Sequence, residues 1–469
     1  MRQTLVFTRH PWVFAAVAPI IAALALSGCG GSGGTAVNGK RVIRVAYSSN
    51  YIFYSNSEAA SFWQGLARQF DRKYPHATVQ LVPIPGSYND LVAKLDLLYR
   101  TPSTAPDVAE LPGSAQMGQY VSSGFLAPLD GYVAHAAWWS RFPPVVKSET
   151  TLNGHVYAVN QGENNAGLYY NIAMFKKAGI PVPWQPHNWS DILSAAEKLH
   201  AALPSDWPVW LQGGAAGGTE AFQTSTAQLL YGSSTPTIYD TTTKKWVVDS
   251  QGILQTLAFY HTLAARDLLV PASVLENPNA IDDITSEVKT GNIGIIFANN
   301  SLGSAWAHGT CAPCWPQAPK TIGVAYMPTM NGQAPGHVSV RVGAELAMSA
   351  DSANKGLAWD FINLAEQVAP MLEVGDGAGW IAPDSSLWHN PAYTNFAPPY
   401  VAFFTRLLPD GPTASPLLPE ENDFSVWAQG LNQATGAIIL DKISAQQALT
   451  SFKSYVTDQL GAGSVESLP

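Results

Sequence analysis

The chain has 469 residues, with 25 Lys or Arg against 34 Asp or Glu, for a formal charge of −9. An acidic chain without a basic block repels a phosphate backbone, which excludes nucleic acid as a partner. Such a length exceeds a single hydrophobic core and implies two or three lobes, for which 15 Trp, 18 Tyr and 17 Phe supply ample apolar surface.

Arg2 and Arg9 precede an apolar run from Trp12 to Leu26, and Leu26-Ser27-Gly28-Cys29 closes it. Val13 to Leu26 is short for a bilayer span, which takes roughly 20 residues, so a single membrane helix is the weaker reading. Small residues ahead of a lone cysteine resemble the lipobox of exported bacterial lipoproteins. That resemblance implies a signal peptide over 1–28, lipidation at Cys29, and a body anchored to the outer face of the cytoplasmic membrane. Removing 1–28 deletes two arginines and no acids, taking the charge to −11. No second apolar run of about 18 residues follows, so the mature chain is not expected to span.

Residues 29–41 are rich in Gly and Ser and predict a flexible linker. Val42 to Tyr47 alternates as a buried strand and runs into the polar turn Ser48-Ser49-Asn50. Phe62, Leu66 and Phe70 recur at helical spacing between Glu58 and Tyr74, and Pro75 ends that helix. Thr78 to Pro83 is the next strand, Tyr88 to Tyr99 the next helix, and Asp107 to Leu111 a third strand. This alternation predicts α/β units with helices on both faces of a sheet. Ligands of such sheets sit beyond the carboxyl ends of the strands, which singles out Ser48 to Tyr54 and Glu110 to Gln116.

Further along, His155 to Val159 and Gly167 to Asn171 read as separate short strands. Asn188 is placed to cap a helix that buries Ala195, Ala196 and Leu199. The glycine-rich Gly213 to Gly218 has neither a nucleotide-binding spacing nor a nearby Lys or Arg, and reads as a close-approach turn. Cys311 and Cys314, in Thr-Cys-Ala-Pro-Cys-Trp-Pro, read as a disulfide pinning a Pro-rich loop. A redox dithiol wants its first cysteine at a helix N-terminus, and Pro313 and Pro316 bracket a loop instead. With His308 they are too few to hold zinc.

Gly154-His155-Val156-Tyr157-Ala158-Val159, followed by Leu168-Tyr169-Tyr170-Asn171 and Phe175-Lys176-Lys177-Ala178-Gly179, is similar to a strand and helix start of one family. That family is the extracellular solute-binding proteins of ABC importers, which includes maltose-binding and glycerol-phosphate-binding proteins. Asn160 stands where the family has proline, and Asn188-Trp189-Ser190-Asp191 stands for its "T-W-x-E". Ser286 to Ile295, Ile322 to Pro328, Val342 to Ser349 with Lys355 to Phe361, and the helix Ala445 to Leu460 follow in family order. The resemblance covers nearly the whole mature chain, from about Val42 to Leu460. It implies a two-lobed periplasmic-binding-protein fold of type II, with solute in a cleft at a hinge of several chain crossings. The lobes are expected over 42–160 with 336–385, and over 161–335 with 386–469.

Carbohydrate recognition needs flat apolar faces and planar hydrogen-bonding groups. Such residues fall at the loop ends: Tyr51, Tyr54, Glu110, Gln116, Glu163, Asn164, Asn165, Glu220, Phe222, Asn299, Asn300, Gly343, Glu345 and Trp380. Arg341 is the main basic residue among them, so a neutral saccharide is preferred over a glycerophosphodiester or glycerol phosphate, which would want Arg or Lys forks. Polyamines remain open, since acids with aromatics also suit ammonium groups. The partners expected are a small solute, the permease subunits and the membrane surface through the anchor, with the protein a monomer. No catalytic residue, metal or cofactor is expected. An exported glycoside hydrolase is the rival from another class, with Glu110 and Glu345 as a conceivable carboxylate pair; a thiol-disulfide oxidoreductase rests on the two loop cysteines alone.

Overall fold

The computed structural model describes residues 36–37, 39–49, 52–53, 55–86, 88–216, 218–277, 284, 286–307, 315–390, 399–408, 414 and 416–469. Its main sheet is built from β1 (Ala36–Val37), β2 (Lys40–Ser48), β3 (Ala77–Ile84), β4 (Val108–Leu111), β5 (Ala158–Asn171), β6 (Trp207–Trp210), β7 (Ile293–Asn299), β8 (Ile322–Ala325) and β9 (Arg341–Met348). The order is β1-β2-β4-β9-β5-β7-β6, with β3 added on β2 and β8 on β5.

β2, β3 and β4 run parallel, as alternation with helices predicts. Helix Asn56–Lys73 starts where the Ser55 hydroxyl accepts from the Glu58 N–H, and it buries Phe62, Trp63, Leu66 and Phe70. Trp63 stacks on Tyr47 of β2 at 5.1 Å and on Phe361 of helix Lys355–Ala365 at 6.3 Å, tying sheet to two helices. The sheet begins earlier than the linker expected over 29–41 allows. Ala36–Val37 pairs antiparallel with Lys40 and Arg41 across a turn in which Gly39 takes φ 74°, a conformation cheap only for glycine.

β5 corrects the sequence reading in a second way. His155–Val156 is a short strand of its own, paired with Thr151–Leu152, but Gly167 to Asn171 is not a separate one, because Ala158–Asn171 is a single strand of 14 residues. Its first half pairs antiparallel with β9, from Ala158 to Asn165. From Ala166 onward its partners are β7 and then β8. The polar run Asn160 to Asn165 stays extended because its backbone is satisfied on both edges: Glu163 also exchanges two 2.9 Å hydrogen bonds with Ile381.

Beyond β5, helices Gln251–Ala265, Phe424–Asp441 and Ala445–Leu460 pack together, and a small sheet joins Tyr239–Asp240, Lys245–Asp249 and Val465–Ser467. Helix Ala445–Leu460 opens with a capping box between Ser444 and Gln447. Replacing Trp63 by Ala removes the ring that couples β2 to two helices. A loss of about 3–5 kcal/mol is expected, read as a lower urea midpoint at unchanged m-value.

Candidate functional site

Strand register brings the polar residues of β5 and β9 together. Arg341, Gly343 and Glu345 alternate onto one face of β9, opposite Asn165, Glu163 and Asn160 of β5. A register shift between Ala344 and Glu345 leaves Gln161 without an opposite number. A Cβ at Gly343 would lie 2.4 Å from Asn160 Nδ2 and 3.0 Å from the Glu149 carboxyl, so glycine makes the room that Glu149 fills. Glu149 arrives from the end of helix Pro144–Glu149.

Asn160 Nδ2 donates to Glu149 Oε2 at 2.9 Å and to Glu163 Oε1 at 3.2 Å. Arg341 Nη1 lies 3.4 Å from Glu163 Oε1 and 3.6 Å from Glu149 Oε2. Glu345 Oε2 accepts from the Gly113 N–H at 2.8 Å. Glu149, Glu163 and Glu345 are 0% exposed and Arg341 1%, so three carboxyls lie away from water and two of them, Glu149 and Glu163, share one guanidinium. Charges of one sign crowded in a dry site favour proton retention. Burial, and then the Glu149 charge, hold the Glu163 carboxyl well above the usual range against the pull of Arg341. Burial and Glu149 likewise raise Glu345, which Gly113 partly offsets.

Glu110 stands on the other face. It is opposite Leu346, whereas Glu345 is opposite Leu111. Its Oε2 accepts from the Ser48 N–H at 3.0 Å, and burial pushes the carboxyl up to about 8. Several oxygens in this region are sealed and have no hydrogen-bond partner among the described residues: Glu110 Oε1, Glu149 Oε1, Asn160 Oδ1, Gln161 Oε1, Glu163 Oε2, Asn164 Oδ1 and Glu345 Oε1. Such a concentration of unsatisfied buried oxygens is foreign to a settled core.

The remaining sequence-predicted residues divide by place. Asn165 and Asn300 brace the strand: the Asn165 N–H donates to Asn300 Oδ1 at 2.6 Å, Asn165 Nδ2 to Phe404 O at 3.0 Å, and Asn300 Nδ2 to Gly379 O at 2.9 Å. Asn299 accepts from the Tyr169 hydroxyl through its backbone oxygen at 2.8 Å. Trp380 covers Gly162 of β5, where an added Cβ would lie 2.9 Å from the Trp380 Cβ. Gln116, 6% exposed, lines a cavity of about 270 Å³ with Asp96, Gln119, Glu421 and Asn422. Above that cavity Gly118 meets the chain edge-on, since an added Cβ would lie 1.8 Å from the Glu420 backbone oxygen. Phe222 packs edge-on to Phe424 at 5.8 Å and Trp427 at 5.9 Å, within the core. Tyr51, Tyr54, Cys29, Cys311 and Cys314 lie outside the described residues, as does the side chain of Glu220. Glu149 and Asn160 escaped the sequence reading, because neither carries a local pattern that marks its partner.

β5 is thus a long strand shared by two sets of strands, with a buried polar patch where its partners change. The family model for bacterial extracellular solute-binding proteins matches residues 54–371. The chain belongs to that family. This solute-binding protein is 24% identical over 185 residues to an ABC transporter extracellular-binding protein of Pyrococcus horikoshii, a match spanning 39% of this chain and 42% of that one. It is also 24% identical over 371 residues to a binding protein of Brucella abortus, covering 78% and 82% of the two chains. Among solved structures it is similar to the GacH receptor of Streptomyces glaucescens, known unliganded and with acarbose. The TM-score is 0.71 at 19% identity, over 90% of this chain and 100% of that one. The likeness establishes the two-lobed, maltose-binding-protein-like fold of the solute-binding protein.

A pH titration of stability tests the buried acids. Glu110 starts from an ordinary value of 4.5 and is held at about 8 in the fold, so the folded state keeps a proton that the unfolded chain releases. Its contribution is complete below about 4.5 and is lost as pH rises to about 8. Glu110→Gln is expected to gain on the wild type across that window, and parallel unfolding curves at pH 5 and pH 8 would contradict it.

Proposed function

We propose that the protein captures a carbohydrate between its lobes and delivers it to the permease of an ABC importer. The observation that carries this reading is the set of sealed, partnerless oxygens on β5, β9 and their neighbours. A sugar hydroxyl both donates and accepts, so it satisfies a carboxylate and a protonated carboxyl alike. Arg341 supports the same choice, because Glu149 and Glu163 already flank its guanidinium and leave little attraction for a phosphate. The acarbose complex of the GacH receptor agrees with a saccharide class.

In this reading the lobe boundary runs through β5 between Asn165 and Ala166, five residues later than the sequence suggests, because the strand's partners change there. Ligand then favours the closed form through contacts that only both lobes together supply. Capture, rather than hydrolysis, is the activity assigned. Cys29 serves as the lipid anchor that keeps the receptor beside its permease.

Two experiments check this. A saccharide, polyol, glycerophosphodiester and polyamine panel is expected to raise the melting temperature only with saccharides or polyols, increasing with ligand excess, and without release of reducing ends from oligosaccharides. A shift with a glycerophosphodiester alone overturns the ligand class. In cells of a bacterial host, the Cys29→Ser variant is expected to leave the membrane fraction that holds the wild type; equal partition of both would remove the anchor.

A further inference from the structure

The glycine-rich turn after β6 gathers polar groups that the fold leaves unused. The backbone of Gln212 is fixed from two sides: the Tyr260 hydroxyl donates to its oxygen at 2.5 Å, and its N–H donates to Ser225 Oγ at 3.3 Å. Ser225 lies in Phe222–Thr226, a π-turn within the helical stretch from Gly218 to Gly232, and such widened turns recur at functional sites. Among the described residues the Gln212 side chain nevertheless finds no partner for Nε2, although the residue is 1% exposed.

Two acceptors stand around the same turn. Gly214 takes φ 88°, its N–H donates to Thr435 Oγ1 at 3.1 Å, and an added Cβ would lie 2.0 Å from Glu276 Oε1. Across from it, a Cβ at Gly436 would lie 2.9 Å from Gly214 Cα and 3.3 Å from Glu276 Oε1. The glycines therefore let the turn, helix Phe424–Asp441 and Glu276 close to backbone distance. One helical turn before Gly436, Asn432 donates through Nδ2 to Gly218 O at 2.7 Å, while its Oδ1 has no partner among the described residues and the residue is 1% exposed. Glu276 Oε1 is likewise sealed and has no partner among the described residues. Helix Gly218–Ala221, which Asn432 holds, also packs against helix Tyr88–Tyr99 from the first part of the chain.

We infer that Gln212, Glu276 and Asn432 form a carbohydrate subsite on the second lobe, binding neighbouring hydroxyls of one ring or polyol. Gln212 Nε2 donates to a hydroxyl oxygen, while Asn432 Oδ1 and the Glu276 carboxylate accept from hydroxyl protons. The assignment rests on the carbohydrate reading above and extends it to a wall that none of the strand residues reaches.

Gln212→Met and Glu276→Gln test it, since each removes a group without a protein partner and keeps the side chain's size. Melting temperatures are measured without ligand and with maltose, maltotriose, trehalose, ribitol and mannitol. The expected result is an unliganded melting temperature at or above that of the wild type, together with binding of the effective sugar weakened about tenfold or more. Full retention of the ligand shift in both variants overturns the subsite and leaves the carbohydrate reading standing. A loss of unliganded stability with unaltered affinity assigns the groups to folding and also overturns it. If no sugar shifts the wild type, the carbohydrate reading falls first and the subsite falls with it.

Discussion

Between Asn165 and Ala166 the strand β5 gives up β9 as its partner and takes β7 and β8 instead. One continuous run of backbone hydrogen bonds thereby belongs to two sets of strands, and the rest of the architecture inherits the consequence. Strand pairing fixes the spacing of the β5 backbone, yet the groups its side chains meet arrive from different parts of the chain: Glu149 from a helix, Arg341 and Glu345 from β9, Trp380 from the segment beside Ile381. A strand in this position joins two sets of strands through one backbone, and its edges decide what each half meets.

The acids along that strand are kept by geometry rather than by charge balance. Buried ion pairs add little net stability, and removing one partner leaves a costly charge behind. Arg341 faces two carboxyls, Asn160 ties both together, and Glu345 borrows a backbone N–H from the loop after β4. The arrangement is tolerable because protons can stay on carboxyls that burial has raised, and it is adaptable because the free oxygens can take hydroxyl partners. A fully apolar patch in this place would be more stable and would offer no polar group.

Much of the fold was legible where the determining forces are local. Helices Tyr88–Tyr99 and Ala445–Leu460 match their sequence bounds residue for residue, since apolar period and cap chemistry sit inside each segment. Asn188 caps its helix as its side chain suggests. The continuity of β5 was not legible, because Asn160 to Asn165 is polar enough to pass for a loop and only distant strands hold it extended. The site was half legible for the same reason. Glu163, Glu345 and Gly343 stood out by composition, but Glu149 comes into play only once Gly343 leaves space for it, a relation spanning most of the chain. Phe222 looked like a flat binding face and is core, since its aromatic partners lie some two hundred residues away.

Gly118 offers a last consequence. Helix Ser114–Ser122 touches the Glu420 main chain with no side chain between them, so position 118 is closed to every other amino acid while that contact stands. Its neighbours Gln116 and Gln119 face the cavity and carry no such restriction. Substitutions that reshape this cavity are therefore open on either side of a glycine that cannot change, and the backbone seam holds the wall in place while its side chains vary.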